Sequence, residues 1–285
     1  MLKDNLEMAP FRHTSPGEGV KDYPGLSVEG VEAAKTKKAA EFLDFLEGAE
    51  KGTVLYVGAA SENPRTISTI KAIGEGVKEL IKEQDIQDIM VINWKDFEGI
   101  KEDSPEKVRM GKRIAEIVNE NPDKKILVDL PLVALRYLSF GQWSGAYYDK
   151  LVEKTGSKDN YDNAKCWLET GGKPIDGIHG PDPVEVAKDQ IRVVKVMEDI
   201  AKHYGVEKRP MVYAPADHSW HMAALAVYLA NKGKIDKEGI QNIAKEPVRE
   251  AEMMNIKIEG GQGTLIYNGK EYPIDPKLIE EVYSE

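Results

Sequence analysis

The sequence predicts an α/β protein, a three-layer α/β/α sandwich on a mostly parallel mixed sheet, and three observations carry that expectation. Short apolar runs rich in β-branched residues recur as TVLYV (53–57), DIMVIN (88–93), KKILVDL (124–130) and PMVYA (210–214). They are apolar throughout rather than alternating, which suits strands covered on both faces. Segments of helical period separate them, and strand and helix in alternation build a layered parallel sheet.

Each helix has a readable start. Ser27 opens a helix over 27–47. Asn63 caps and Pro64 begins a second over 63–82, whose Ile67, Ile70, Val77, Leu80 and Ile81 form one apolar stripe. Ser104-Pro105-Glu106 opens a third that runs to about Val118, and Asp182-Pro183 a fourth that runs to about Tyr204. A fifth spans 218–232 and stops near Gly233. Residues 141–181 hold GQWSG, KTGSKDN, TGGKP and HGPDP, a turn-rich stretch expected to be an irregular, lid-like insertion. After Met254 the pattern becomes that of paired strands, with Asn268-Gly269 as a type I′ hairpin turn. The expected organisation is one main domain over 1–254 and a small hairpin appendage over 255–285.

Composition narrows the partners. Acidic residues outnumber basic ones, 49 to 39, so the 285-residue chain carries a formal charge of −10. That disfavours nucleic acid and anionic membrane surfaces. No apolar run approaches the ~18 residues of a membrane span. The start, MLKDNLEMAPFRHTSPGEGV, lacks the pattern of a secretory leader, and Cys166 has no cysteine partner, so a reducing cytoplasm is expected. A homodimer through the C-terminal hairpin is one expectation for assembly, which the sequence otherwise leaves open.

Ligands of an α/β sheet gather beyond the carboxyl ends of its strands. After LEMAPF come Arg12-His13-Thr14 and a loop with Glu18; after TVLYV comes Arg65 in a helix's first turn; after PMVYA come Asp217 and His218. Guanidinium forks match phosphoryl oxygens, and a helix N-terminus adds NH donors. An arginine in a first turn opposes the helix dipole and calls for an anion nearby. A neutral histidine can attack phosphorus when a neighbour fixes its tautomer. His218 and His221 are three apart, a metal-ligand spacing, but no third ligand accompanies them, and His221 is expected to cap or pack. Trp143, Tyr147, Tyr148 and Trp167 line a cavity or hold the irregular stretch down; His179, His203 and Cys166 are read as structural.

The order of these motifs resembles the histidine phosphatase superfamily, which includes cofactor-dependent phosphoglycerate mutase. Arg12-His13-Thr14 is similar to its Arg-His-Gly, LSVEGVEAA (26–34) to its Leu-Thr-x-x-Gly-x-x-Gln-Ala, and VLYVGAASENPRTISTI (54–70) to the stretch that ends in Ser-Pro-Leu-x-Arg. FGQWSG (140–145), GPDPVEVAKDQIRVV (180–194, with Arg192) and MVYAPADHSWHMAAL (211–225) follow in the family's order. The resemblance implies a nucleophilic His13, Arg12 and Arg65 clamping the phosphoryl oxygens, and His218 stabilising the transition state, with no metal or other cofactor. It implies a phosphatase acting on a small phosphomonoester; the alternatives are a mutase and a non-catalytic binder of phosphorylated ligands.

Two departures from the family stand out. Its glycine after the nucleophile is Thr14, where a β-branched side chain resists positive φ. Its acidic glutamate, four residues before the glycine of Gly-x-Trp, is Tyr137. Candidate general acids are therefore Asp217, Tyr137 and Glu18, with Asp217 preferred.

Overall fold

A computed structural model describes residues 5–59, 63–93, 105–129, 145–203, 206, 208–245 and 252–285. In chain order the strands are β1 (Asn5–Met8), β2 (Phe11–Arg12), β3 (Val54–Ala59), β4 (Ile89–Ile92), β5 (Lys125–Asp129), β6 (Met211–Asp217), β7 (Asn255–Glu259), β8 (Gln262–Tyr267) and β9 (Lys270–Ile274). The helices are α1 (Val28–Ala33), α2 (Ala39–Gly48), α3 (Pro64–Glu83), α4 (Pro105–Glu120), α5 (Ala146–Thr155), α6 (Asn160–Thr170), α7 (Pro183–His203), α8 (Ser219–Ala230), α9 (Lys237–Ile243) and α10 (Lys277–Ser284). The fold is α/β, with parallel and antiparallel strand pairs flanked by helices.

The chain forms two compact units: Met1–Arg12, Arg136–Val193 and Asp217–Glu285 make the first, and His13–Leu135 with Val194–Ala216 the second. In the second unit the parallel strands run β4-β5-β3-β6. All four apolar runs of the sequence are therefore strands. Every residue of β3, which lies between β5 and β6, is buried, whereas both middle residues of β4 are only half-buried. A strand paired on both edges and covered on both faces has no use for polar positions.

Helix α3 packs on β3, β4 and β5, and two glycines let it come close. A Cβ at Gly76 would stand 2.1 Å from the Lys35 carbonyl oxygen, and one at Gly74 would stand 2.3 Å from Asp129 Oδ2. The helix expected over 27–47 is present, but a π-helical turn at Ala34–Lys38 divides it into α1 and α2. No residue type announces such a turn; it lies where α3 crosses.

In the first unit β1, β7, β8 and β9 form an antiparallel run. The hairpin expected at Asn268-Gly269 joins β8 to β9, with φ of 48° and 70° as a type I′ turn requires. Beyond the expected strands, β7 pairs with β1 from Asn5↔Glu259 to Met8↔Ile256, and the chain ends in α10.

The stretch 141–181 is not irregular in its described part, which carries α5 and α6. Its glycines end helices rather than prevent them: Gly156 and Gly171 are left-handed C-caps, and Asp159 accepts from Tyr161 N at 2.6 Å to begin α6. The aromatic residues hold these helices. Trp167 is fully buried, donates to the Pro181 carbonyl at 2.8 Å and stacks on Trp220 at 5.9 Å, and Tyr147 OH lies 3.3 Å from Thr170 Oγ1. Trp143 lies outside the described residues. Among the described residues no helix is long and apolar enough to cross a membrane.

Candidate active site

In the second unit, His13 is the first residue after β2, and its ring is buried. Its Nδ1 lies 2.7 Å from the Thr14 carbonyl oxygen. A carbonyl only accepts, so Nδ1 carries the hydrogen, and in the neutral ring the lone pair is left on Nε2.

Thr14 pins the exit from His13 to α3. Its N–H donates to Thr69 Oγ1 at 3.3 Å, and the two hydroxyls lie 3.3 Å apart. Thr69 Oγ1 in turn donates to the Arg65 carbonyl at 2.8 Å. Through its backbone, Arg65 is therefore two hydrogen bonds, by way of Thr69, from the loop that carries His13. It is the second residue of α3, and its N–H donates to the capping Asn63 Oδ1 at 3.1 Å. The loop also touches α3 at Gly25, where a Cβ would lie 3.0 Å from Arg65 N.

Thr14 is absent from the residues with positive φ, so the glycine of the resembled motif is not needed at this position. The threonine's buried hydroxyl instead has a bonding role. Neither Thr14 nor Thr69 was a candidate from the sequence, although a threonine four residues after Arg65, able to bond back along the helix, was a visible signal. Glu18 is exposed on the loop.

In the first unit, Arg12 is half-buried and its N–H donates to the Glu252 carbonyl at 3.0 Å. Asp217 ends β6, and His218 is the N-cap of α8. The carboxyl of Asp217 is fully buried. Its Oδ1 accepts from His218 N at 2.7 Å and lies 3.0 Å from His221 Nδ1. The two imidazoles meet edge to face, with centroids 5.7 Å apart. His221, expected to cap or pack, is thus the partner of Asp217, a pairing signalled by its place four residues on.

The other candidates fall elsewhere. Tyr137 lies outside the described residues, as do residues 141–144 of the FGQWSG segment. Arg192, in the motif around α7, donates to Asp189 at 2.6 Å and pairs with Glu185 and Glu285, so carboxylates already engage it. His179 and His203 are exposed, and burial pushes the Cys166 thiol up from its ordinary value, away from thiolate reactivity. Among the described residues no group of three or more His, Cys, Asp or Glu is placed to hold a metal ion.

No protein-family model matches the chain, and no curated protein matches it. Solved structures are similar to it. A mycobacterial glucosyl-3-phosphoglycerate phosphatase shares 16% identity over 88% of this chain and 92% of its own, with a TM-score of 0.42. A protein described as mycobacterial hydrolase 2 shares 14% over 98% and 97%, at 0.47. A phosphoglycerate mutase from Bacillus anthracis shares 13% over 98% and 96%, at 0.42. Likeness at these identities and scores carries no argument about chemistry, which rests on the residues of the chain.

Proposed function

We propose that the protein is a metal-independent phosphohydrolase that acts on a small phosphomonoester through phosphohistidine at His13. The carrying observation is the 2.7 Å contact between His13 Nδ1 and the Thr14 carbonyl oxygen. It holds the ring in the tautomer whose Nε2 is nucleophilic, so attack needs no prior proton loss.

In this reading Nε2 attacks phosphorus, the bond from phosphorus to the leaving oxygen breaks, and that oxygen takes a proton from a general acid. Water then attacks the phosphohistidine, both its hydrogens leaving on the released dihydrogen phosphate as the electron pair returns to Nε2, and the general acid regains its proton from solvent. Arg12 and Arg65 bind the equatorial oxygens, and His218 stabilises their charge in the transition state. Asp217 is the proposed proton donor. Its Oδ1 faces two N–H groups, while Oδ2 is buried with no hydrogen-bond partner among the described residues. A buried carboxyl oxygen that lacks a donor is where a proton settles at least cost.

The test is turnover of an aryl and an alkyl phosphate with a chelator present. Both are expected to be hydrolysed, and His13→Ala is expected to lower each rate by about 1,000-fold or more. A phosphoenzyme stable to alkali and lost in acid should be trapped from the wild type alone. Activity that survives His13→Ala rules out the assignment. Phosphate binding without turnover of either substrate indicates a binding protein, and transfer to an added alcohol in preference to water a mutase.

A further inference from the structure

We propose that His221 is the positioning residue of the general acid, holding Asp217 so that only Oδ2 can carry and deliver the leaving-group proton. The proposal rests on the hydrolase reading above and adds a residue that the motif order does not assign. Asp217, His218 and His221 belong to one unit, at the junction of β6 and α8.

Oδ1 of Asp217 receives the His218 N–H at 2.7 Å and faces His221 Nδ1 at 3.0 Å. An ionised carboxylate only accepts, which makes Nδ1–H of His221 the donor, and in the proposed arrangement it stays the donor when the proton is on Oδ2. The backbone donor and the imidazole approach the same oxygen, so rotation of the carboxyl would break two bonds at a site where Asp217 is 0% and His221 2% exposed. The acidic hydrogen is thereby assigned to Oδ2, the oxygen with no partner among the described residues. This arrangement suits a chain in which the glutamate of the resembled family is replaced by Tyr137. A carboxylic acid with a fixed orientation protonates an alkoxide more effectively than a phenol whose ordinary pKa is near ~10.

Leaving-group dependence separates positioning from mere packing. An aryl oxide departs unprotonated, whereas an alkoxide needs the acid. His221→Leu is expected to lower alkyl phosphate kcat by about 30-fold or more and leave aryl kcat within about threefold. Asp217→Asn is expected to lower alkyl kcat to the same extent, and the double variant to be no worse on that substrate than either single one. His221→Asn presents an amide N–H where Nδ1 stood and should restore alkyl turnover; His221→Gln presents it at the Nε2 position and should not. The Asn and Gln pair keeps the test decisive if the leucine variant does not fold.

Equal loss on both substrates, no loss on either, or alkyl turnover kept in Asp217→Asn but lost in His221→Leu would overturn the proposal. Nitrogen NMR of the wild-type imidazoles tests it without turnover. The neutral His221 ring should be protonated at Nδ1, and protonation at Nε2 alone would overturn it. If the wild type hydrolyses neither substrate, the hydrolase reading fails, while the nitrogen spectrum still decides the His221 geometry.

Discussion

Thr69 Oγ1 accepts the Thr14 N–H, approaches the Thr14 hydroxyl and donates to the Arg65 carbonyl, all with both threonines buried. Thr69→Val keeps the shape and removes the acceptor, leaving the Thr14 N–H unsatisfied. The expected cost is about 1–3 kcal/mol in urea unfolding, together with weaker phosphate binding as Arg65 and the His13 loop uncouple. Unchanged phosphate affinity in a destabilised variant would show the pin to be structural only. At this scale the sequence was informative about residue types and silent about their partners. Arg12, His13, Arg65 and His218 could be singled out as candidates because guanidinium and imidazole side chains just after strands are chemically pointed. Thr14 was legible only as a departure, since the bond to Thr69 spans 55 positions and no local pattern encodes it.

Helix α3 and the helical pair before it depend on glycines that meet neighbours very differently. At Gly76 a Cβ would stand 2.1 Å from the Lys35 carbonyl oxygen and 2.7 Å from Ala39 Cβ, and backbone cannot yield cheaply. Gly76→Ala is expected to destabilise by about 1–3 kcal/mol, whereas Gly48→Ala should stabilise by about 0.5 kcal/mol, both read by urea unfolding. A Cβ at Gly48 would meet nothing within 4 Å. Beside this contact Lys35 pairs with Glu75 at 2.8 Å and lies over the Tyr23 ring, whose OH donates to Glu75. Burial and Glu75 raise the Tyr23 pKa. Burial opposes the Lys35 charge, but the contacts with Glu75 and Tyr23 outweigh it and raise the Lys35 pKa as well. Both shifts are upward, so their stabilisation is full below the ordinary values near ~10 and is lost as pH rises beyond them. The Tm difference between wild type and Glu75→Gln, expected at about 2–4 °C at pH 7, should therefore shrink above pH ~10. Elements were legible where a cap preceded an apolar stripe, as with Asn63 and α3. They were missed where glycine clusters looked like loops, as with α5 and α6, because a glycine that ends a helix and one that forbids it look alike in sequence.

Over the whole molecule, a formal charge of −10 sets the long-range field while the candidate phosphate ligands are cationic. A phosphate ester on a small alcohol should be processed with kcat/KM at least about tenfold higher than the same group ending an oligonucleotide, and the gap should narrow with added salt. An equal rate on both at low salt would show that the field does not select substrate. The α/β class and the four parallel strands were legible from buried apolar runs. The pairing of β7 with β1 was not, because it joins Leu6 to Ile258 across most of the chain. That pairing has a kinetic consequence. Two further bonds, Arg12 N to the Glu252 carbonyl and Met254 N to the Pro10 carbonyl, latch the segment just ahead of His13 onto the same late stretch. During synthesis the parallel strands β3, β4 and β5 are complete long before residue 252 leaves the ribosome, but the bonds from β1, Pro10 and Arg12 to the late stretch are not. Loop closure over so long a separation is slow, so in a pulse-labelled folding experiment amide protection at Leu6 and Arg12 should appear after protection at Leu55 and Leu127. A nascent chain stalled before β7 would hold its parallel strands while β1 still lacked the partner that pairs it from Asn5 to Met8.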